Sequence, residues 1–409
     1  MNKAISQDTM KKENILSVLQ CIQENGPIYR KDVKKITGLS GGSISSIVNR
    51  LLNAGLITER PYSVKTKGRN PGKLEMSSCQ HGVIGIDINQ NGLTCITMTL
   101  KGDVIDTLHE NIRIPTRTAI LQQLYRMLDA IKARAKQNER QLIGIGISMQ
   151  GSVSGAEGVS RYNAYFNDWE NVPLVKLVED YCGCTAILEH STECAAITEM
   201  KCGVAKGVQN FIFVRISTAL GISIIHNGEF IRGYNGNAGE FGHIIMKPDG
   251  ELCNCGKRGC LETVASSRSI IKHIVAQIDA GAASVLASKV HESGQITMDN
   301  VYRAYCSGDP VVRNEIEQFT SYLALGLSTV INLFNPEMLV LGGDMLRYEG
   351  MFIEQLRHKV EALSWANSSK TILTSTSSSN TAAMGAGLLI IDDVLTHMPF
   401  TNINTKNTV

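Results

Sequence analysis

Three cysteines stand close together in the second half of the chain, and their spacing is that of metal ligands. Cys253 and Cys255 are separated by one residue, and Cys260 follows five residues later. Thiolates grouped in this way suit a structural zinc ion, which takes four ligands in a closed tetrahedron. Gly256 and Gly259 let the intervening chain fold tightly. The total of 11 cysteines is odd and the others are scattered, so we predict a metal site rather than a disulfide framework.

A second group of residues, near the start of the chain, is suited to contact DNA. Small polar side chains and one basic side chain share the outer face of a predicted helix: Ser43, Ser45, Ser46, Asn49 and Arg50. Such a face can approach a major groove closely and hydrogen-bond base edges and phosphates. Further along, the basic residues Lys65, Lys67 and Arg69 lie between two strand-like segments. They predict a wing along the phosphate backbone, with a basic disordered linker as the alternative.

The elements that position this polar face follow from apolar spacing. A first helix runs through residues 15–22 and stops at the Gly26-Pro27 signal, and a second covers 30–37. A glycine turn with Ser40 as N-cap then begins the third helix, whose buried stripe runs from Ile44 to Leu52. Two short strands near 56–60 and 74–76 follow, completing a predicted winged helix-turn-helix over residues 1–78.

Charge divides the chain in the same way. Residues 1–75 carry 13 Lys and Arg against 6 Asp and Glu, a net charge of +7, and the remainder carries −5. A basic module beside a mildly acidic body is typical of a nucleic-acid-binding protein. The 409 residues are 43% hydrophobic, without an apolar run long enough to cross a bilayer and without an amino-terminal apolar signal. We therefore expect a cytoplasmic protein of two or three domains with no membrane insertion.

The body alternates strands and helices, which predicts an α/β fold. An opening meander covers 83–88, 93–100 and 104–109, followed by an amphipathic helix at 119–136 and a buried strand at 142–148. Shorter strand and helix signals continue through the second half: 186–188, a helix from about Thr192, 211–216, and a hairpin around Asn227-Gly228.

The motifs of this body resemble the ROK family of transcriptional repressors and sugar kinases. The resemblance rests on Gly239-Glu240-Phe241-Gly242-His243, followed by the cysteine segment from Cys253 to Glu262. Further glycine motifs fall in the family's order: 144–147, 342–343 and 385–387. It implies an amino-terminal winged helix-turn-helix followed by a two-lobed, actin-like and sugar-kinase-like (ribonuclease H-like) ATPase fold. The winged helix-turn-helix marks the regulator branch, similar to glucose-, N-acetylglucosamine- and xylose-responsive repressors.

The resemblance also assigns roles to single residues. His243 becomes the fourth ligand of a structural zinc ion, beside Cys253, Cys255 and Cys260. The resemblance implies a sugar or sugar-phosphate effector bound by five residues: Asn171, His190, Glu240, His243 and Glu262. Because His243 serves both metal and sugar, removing zinc is expected to impair the effector response.

The kinase machinery of the family is altered at three places. The first phosphate loop, Asp-Ile-Gly-Gly-Thr in kinases, is Asp87-Ile88-Asn89-Gln90-Asn91, and the second, Gly-Thr-Gly-X-Gly, is Ser217-Thr218-Ala219-Leu220-Gly221. Lost glycines hinder the approach of backbone amides to phosphate. The family's Asn-Asp pair aligns with His190-Ser191, and serine cannot act as the general base. We therefore expect no enzyme activity and no ATP cofactor, with a sugar kinase bearing a DNA-binding head as the alternative.

The predicted organisation is then a winged helix-turn-helix (1–78), a first lobe (79–190), a second lobe (191–398) and a polar tail (399–409). The second lobe carries the zinc loop, the dimerisation region and a returning carboxyl-terminal helix. The expected partners are double-stranded operator DNA, a sugar or sugar phosphate, and a second copy of the chain as homodimer or homotetramer. One alternative function is a regulator that is sequestered by a sugar-transporter protein, with the helix 384–397 as its contact surface. Core packing is the stronger interpretation of that helix.

Overall fold

A computed structural model describes most of the chain: residues 7–60, 72–78, 80–293, 296–368, 371–375 and 380–397. Contacts among Cα atoms divide it into two units. The first comprises the chain up to Glu189 together with the segment from Ala383 onward, and the second runs from His190 to Ala382.

The amino-terminal part of the first unit contains three helices and three strands: α1 (Gln7–Asn25), β1 (Ile28–Tyr29), α2 (Arg30–Thr37), α3 (Gly41–Asn53), β2 (Ile57–Arg60) and β3 (Lys73–Met76). Helix α3 begins as predicted, because the Oγ atom of Ser40 accepts the backbone N–H of Ser43 at 3.1 Å. Its apolar stripe is buried from Ile44 to Leu51, and Leu52 is half-buried. Local spacing and capping therefore define the helix-turn-helix.

The strands of this part form one antiparallel sheet in the order β1-β3-β2. Ile57 pairs with Met76 and Arg60 with Lys73, which is the hairpin expected of a wing. The short strand β1, which the sequence analysis did not predict, adds Ile28 opposite Leu74. The basic residues Lys65, Lys67 and Arg69 at the tip of the wing lie outside the described residues.

The remainder of the first unit contains the first-lobe elements: β4 (His81–Asn89), β5 (Gly92–Thr99), β6 (Val104–Asn111), α4 (Arg117–Gln137), β7 (Gln141–Met149), β8 (Ser152–Ser154), β9 (Val159–Tyr162), β10 (Glu170–Val172), α5 (Leu174–Cys182) and β11 (Ala186–His190). Five of the strands form a sheet in the order β6-β5-β4-β7-β11. Strands β4 and β5 are antiparallel, as are β5 and β6, whereas β4 and β7 are parallel.

The second unit repeats this plan with its own elements: α6 (Ser191–Lys201), β12 (Phe211–Ile216), β13 (Leu220–His226), β14 (Glu229–Phe230), α7 (Ser267–Asp279), α8 (Ala287–Ser293), α9 (Met298–Cys306), α10 (Pro310–Phe334), β15 (Met338–Gly342), α11 (Ile353–Leu363) and β16 (Ile372–Thr374). The sheet order is β14-β13-β12-β15-β16. Counted along the chain, each sheet has the strand order third, second, first, fourth, fifth. This repeated α/β sheet agrees with the expected two-lobed, sugar-kinase-like fold.

The last helix, α12 (Thr381–His397), packs against the first-lobe sheet. A Cβ atom on Gly85 or Gly146 would overlap a backbone carbonyl oxygen of α12, so these strand glycines permit the close approach. Its apolar residues from Ala383 to Leu395 are mostly buried. This burial agrees with core packing, the stronger interpretation of this helix.

Candidate metal centre and effector site

Four predicted metal ligands come together at one point of the second unit. The ligand atoms of His243, Cys253, Cys255 and Cys260 all lie within 4.8 Å of one another. The Sγ atom of Cys253 is 3.6 Å from the Nδ1 atom of His243, and the Sγ atoms of Cys255 and Cys260 are also 3.6 Å apart. Three thiols and one imidazole form a ligand set suited to a soft divalent cation.

Tight backbone turns gather these ligands. The backbone N–H of Gly256 donates to the carbonyl of Cys253, and the N–H of Cys253 donates to the carbonyl of Lys257. Gly259 has a φ of +71°, and a Cβ atom there would collide with the carbonyl of Lys247. The cysteine segment therefore closes on itself only with glycine at position 259.

The thiols differ in how readily they ionise. Burial raises the pKa of Cys253, and burial raises the pKa of Cys260 to about 12. At Cys255 burial opposes ionisation, but hydrogen bonds from the Lys257 amide and from the two neighbouring thiols lower its pKa. A bound cation would take the place of the protons on all three, as metal binding to cysteine does.

Two predicted sugar-binding carboxylates flank this centre. The Oε2 atom of Glu240 is 3.8 Å from the Nε2 atom of His243, the ring nitrogen opposite the one that faces Cys253. Glu262 lies two residues after Cys260, in a short 3-10 helix. Its Oε2 atom accepts the backbone N–H of Leu220 at 3.1 Å. The metal ligands and both carboxylates therefore belong to one cluster of the second unit.

Glu262 is the more buried of the two carboxylates. Burial raises its pKa, while the Leu220 amide and the charges of His243 and Arg268 act in the opposite direction. A carboxylate held in this way is a strong hydrogen-bond acceptor with little water around it, which is what recognition of a sugar hydroxyl needs.

The two remaining predicted effector residues, His190 and Asn171, belong to other segments of the chain. His190 caps helix α6, because its Nδ1 atom accepts the backbone N–H of Thr192 at 3.3 Å. Asn171 lies in the first unit, on β10, where it is exposed and has a left-handed φ of +46°. Asparagine tolerates that conformation better than most residues.

Next to His190, Ser191 is almost completely buried and accepts a hydrogen bond from Arg215 of β12 at 2.7 Å. Sequence reasoning did not single out Arg215, although it is the one charged residue in the strand Phe211–Ile216. A charged residue in an otherwise apolar strand was the sequence signal that could have identified Arg215.

The first-lobe loop that resembles a phosphate loop is closed by its own side chain. The Oδ1 atom of Asn89 accepts the backbone N–H groups of Asn91 at 2.9 Å and Gly92 at 3.3 Å. Its Nδ2 atom donates to Asp87, whose other carboxylate oxygen accepts the hydroxyl of Ser148 at 2.5 Å. Backbone amides that could face a phosphate are thus already bonded.

The second-lobe loop is held by carboxylates from other segments. The hydroxyl of Ser217 donates to Asp344 at 2.8 Å, and the N–H of Leu220, also in the loop, donates to Glu262. Through Glu262 this loop is joined to the segment that carries the metal ligands.

In the DNA-binding head, the predicted contact face of α3 is accessible. Ser45, Ser46, Asn49 and Arg50 are exposed and Ser43 is half-buried. Sequence reasoning missed that Arg30 of α2 reaches this face: its Nη1 atom lies 3.5 Å from Asn49 and its Nη2 atom pairs with Glu59 of β2 at 2.7 Å. Glu59 therefore holds a guanidinium beside the outer face of α3.

A histidine of α7 connects the segment that carries the metal ligands to helix α10. The Nδ1 atom of His273, on α7, lies 2.7 Å from the buried carboxylate of Glu315 on α10. Its Nε2 atom lies 3.3 Å from Glu251, two residues before Cys253, and Lys272 also pairs with Glu251. The hydrogen bond to Glu315 raises the pKa of His273, and the two ring nitrogens join two carboxylates.

Comparison with known proteins places this architecture in a family. Residues 83–393 match the ROK family, and residues 11–58 match a winged helix-turn-helix DNA-binding domain. The chain belongs to the ROK family. It is 27% identical over 357 residues to the xylose repressor of Caldicellulosiruptor bescii, covering 87% of this chain and 89% of that protein. The expected family and fold are thereby confirmed.

Solved structures support the same assignment. A ROK family transcriptional regulator, a homologue of the Escherichia coli MLC protein, superimposes with a TM-score of 0.81 at 27% identity, covering 95% of this chain and 97% of that one. A ROK family glucokinase from Streptomyces griseus, solved with glucose and AMPPNP, gives a TM-score of 0.64 at 26% identity, covering 75% of this chain and 98% of that one. Among the described residues, no helix is long and apolar enough to span a membrane.

Proposed function

We propose that this chain is a sequence-specific DNA-binding transcriptional regulator, a repressor of carbohydrate genes, whose affinity for its operator is set by a bound sugar or sugar phosphate. The observation that carries the proposal is the joint presence of an exposed polar face on α3 and of two carboxylates tied to a metal-ligand cluster. Its similarity to a xylose repressor along most of its length supports the same function.

The metal we propose is a structural zinc ion. Around zinc, sulfur ligands at about 2.3 Å and a nitrogen ligand at about 2.1 Å would be roughly 3.5 to 3.8 Å from one another. The separation of Cys253 from His243 and that of Cys255 from Cys260, both 3.6 Å, fall in that range, which supports the fit. With four protein ligands the ion has no open position for water, so it would hold His243 and Glu262 in place rather than perform chemistry.

We further propose that the chain does not phosphorylate sugars. Phosphoryl transfer to a hydroxyl requires a carboxylate in reach of its proton, and Ser191 hydrogen-bonds a guanidinium instead. The amides of Asn91 and Gly92 are bonded to Asn89. A sugar kinase with a DNA-binding head is the second candidate, favoured by similarity to the Streptomyces griseus glucokinase. An ADP-release assay over a panel of hexoses, which we expect to stay at background, separates the two.

The operator contact requires two copies of the chain. A homodimer presents two α3 helices to successive major grooves of a pseudo-palindromic site, about 34 Å apart, and a homotetramer would present two such pairs. We do not propose a transporter partner, because α12, the helix considered for that contact, is mostly buried.

The experiment begins with selection of operator sequences from random DNA by the purified full-length protein, followed by fluorescence anisotropy on the selected site. Asn49→Ala should weaken operator binding about tenfold, because an asparagine can read an adenine edge with two hydrogen bonds. Asn53→Ala, at the exposed carboxyl end of the same helix, is the matched control and should bind as the unaltered protein does. Equal losses in both variants would contradict the assignment of α3 as the reading helix.

A further inference from the structure

Arg215 is an unusual residue for its position. It lies near the end of β12 on the same side as Phe211 and Phe213, which pack with Ala195 and Ala196 of α6. A charged group in such a half-buried position costs free energy unless a counter-charge accompanies it.

The structure supplies Arg215 with a hydroxyl and not with a carboxylate. One guanidinium nitrogen donates to Ser191 Oγ at 2.7 Å, and within the described part of the chain Arg215 makes no ion pair. The acidic residue in the first turn of α6, Glu193, pairs with Arg232 at 3.5 Å. A guanidinium has five N–H donors, so most of the capacity of Arg215 to bind an anion is uncommitted.

The surroundings of Arg215 add positive potential and hydroxyl groups. Ser191 and Thr192 form the first turn of α6, where the helix dipole is positive, although that terminus alone would not define a site. Gly221, directly opposite Arg215 in the sheet, lets Thr192 approach: a Cβ atom there would lie 2.9 Å from the Thr192 hydroxyl. The hydroxyls of Ser191 and Thr192, two almost completely buried residues, thus lie in one small region with Gly221 and the half-buried Arg215.

This region is connected to the proposed sugar-binding carboxylates through the sheet. Gly221 pairs with Arg215, and the residue before it, Leu220, donates its N–H to Glu262. Glu262 in turn lies within electrostatic reach of Glu240 and His243. A cation at one end and hydroxyl-accepting carboxylates at the other match a sugar that carries one negative group.

We propose that the effector is an anionic sugar whose charged group, a phosphate or a carboxylate, is bound by Arg215 together with the hydroxyls of Ser191 and Thr192. The inference rests on the proposed function, because it specifies the ligand class of the same site. Phosphate and carboxylate both match a guanidinium with two parallel hydrogen bonds, so sugar phosphates and sugar acids are the two sources to distinguish.

The test is calorimetric titration of the zinc-loaded full-length protein with matched ligands. Neutral glucose, N-acetylglucosamine and xylose are compared with glucose 6-phosphate, N-acetylglucosamine 6-phosphate and xylose 5-phosphate, and with gluconate and glucuronate. At least one anionic member should bind about tenfold or more tightly than its neutral parent, since hydrogen bonds to a charged group are involved. Comparison of the sugar phosphates with the sugar acids then shows whether the charged group of the effector is a phosphate or a carboxylate.

Variants assign the preference to Arg215. Arg215→Met should remove the preference for the anionic ligand, and Arg215→Lys should retain part of it, since lysine keeps the charge but not the fork geometry. Ser191→Asp leaves Arg215 in place and supplies an internal counter-charge, so it should also abolish the preference. Arg347→Met, at an exposed arginine of the same unit, is the matched control. Unchanged melting of the ligand-free variants confirms that each is folded.

Three results would overturn the inference. A neutral sugar that binds as tightly as every anionic counterpart, or a preference that survives Arg215→Met, rules out the anion site while the proposed effector function stands. If no neutral or anionic sugar binds, the effector function itself fails, and the anion site fails with it. The two failures are therefore distinguishable in one set of titrations.

Discussion

The two five-stranded sheets have the same strand order, yet the turns between their first and second strands are stabilised in different ways. In the first lobe, Asn89 bonds the amides of Asn91 and Gly92 in its own turn, and Gln150, just after β7, accepts the amide of Gln90 at 3.5 Å. In the second lobe, the corresponding turn is tied to Asp344 and, at Leu220, to Glu262. One turn has become a closed structural feature, and the other remains linked to the metal-ligand cluster.

This difference indicates where ligand recognition remains. A phosphate-binding loop works by presenting unbonded amides, and a carboxamide that occupies those amides removes that capacity. The second-lobe turn instead bonds Glu262 at Leu220, the first residue of the strand that pairs with the one carrying Arg215. We expect changes in the second lobe to alter the effector response and changes in the first-lobe turn to alter stability alone.

The largest effect should come from the metal ligands. Cys255→Ser replaces an exposed ligand with a poor one, so zinc should be lost and the second unit should be destabilised by roughly 3 kcal/mol or more, the scale of lost metal sites. Zinc content and thermal melting measure this. Cys306→Ser, another exposed cysteine, is the control and should change neither. Full zinc content in the Cys255 variant would contradict the proposed zinc site.

The next effect concerns the carboxylate that joins the metal segment to the turn. Glu262→Gln keeps the shape but removes the charge, so affinity for the effector should fall about 10- to 100-fold while zinc stays bound. Calorimetry with the tightest-binding sugar measures the affinity. Glu349→Gln, an exposed residue of the same unit, should bind normally. An unchanged affinity in the Glu262 variant would show that this carboxylate does not take part in sugar recognition.

A pH-dependent effect should appear at His273. Its pKa is raised in the folded protein by the hydrogen bond to Glu315, so the protonated ring contributes its full stability below the ordinary pKa of 6.5 and loses it as the pH rises through the folded value. His273→Gln should lower the free energy of unfolding by about 1.5 kcal/mol at pH 5.5 and by less at pH 8.5. Denaturant unfolding at both pH values measures this.

The control for His273 is His358→Gln, an exposed histidine on α11. We expect it to leave the pH dependence of unfolding unchanged. If His273→Gln were equally destabilising at both pH values, the ring would act by packing and not by charge.

The smallest effect should come from the first-lobe turn. Asn89→Ala removes the carboxamide that bonds the amides of Asn91 and Gly92, so stability should fall by about 1 kcal/mol. Affinity for the effector should not change, in contrast to Glu262→Gln. A loss of sugar binding in the Asn89 variant would mean that the two turns do not differ in the way proposed.

Much of the fold was predictable because its determinants are local. The N-cap at Ser40, the apolar stripe of α3 and the hairpin of β2 and β3 follow from spacing along the chain. Three of the metal ligands fall between residues 253 and 260, so a short motif was enough to group them, whereas His243 was assigned through the family resemblance.

The contacts that sequence reasoning missed are non-local. Arg215 meets Ser191 across 24 residues, and His273 meets Glu315 across 42. The apolar periodicity of a sequence does not predict such pairs, because they depend on which helix packs on which strand. The loss of glycines in the first-lobe turn was evident, but the bonding of its amides by Asn89 depends on a side-chain orientation that composition does not encode.

The proposed function couples DNA binding to sugar sensing without catalysis, and both activities can be measured together. Operator anisotropy and ADP release are followed in the same samples of full-length, zinc-loaded protein with ATP, Mg²⁺ and each sugar, sugar phosphate or sugar acid. We expect one ligand to change operator affinity about 5- to 150-fold while ADP release stays at background. Sugar-dependent ADP release with no change in operator affinity would contradict it.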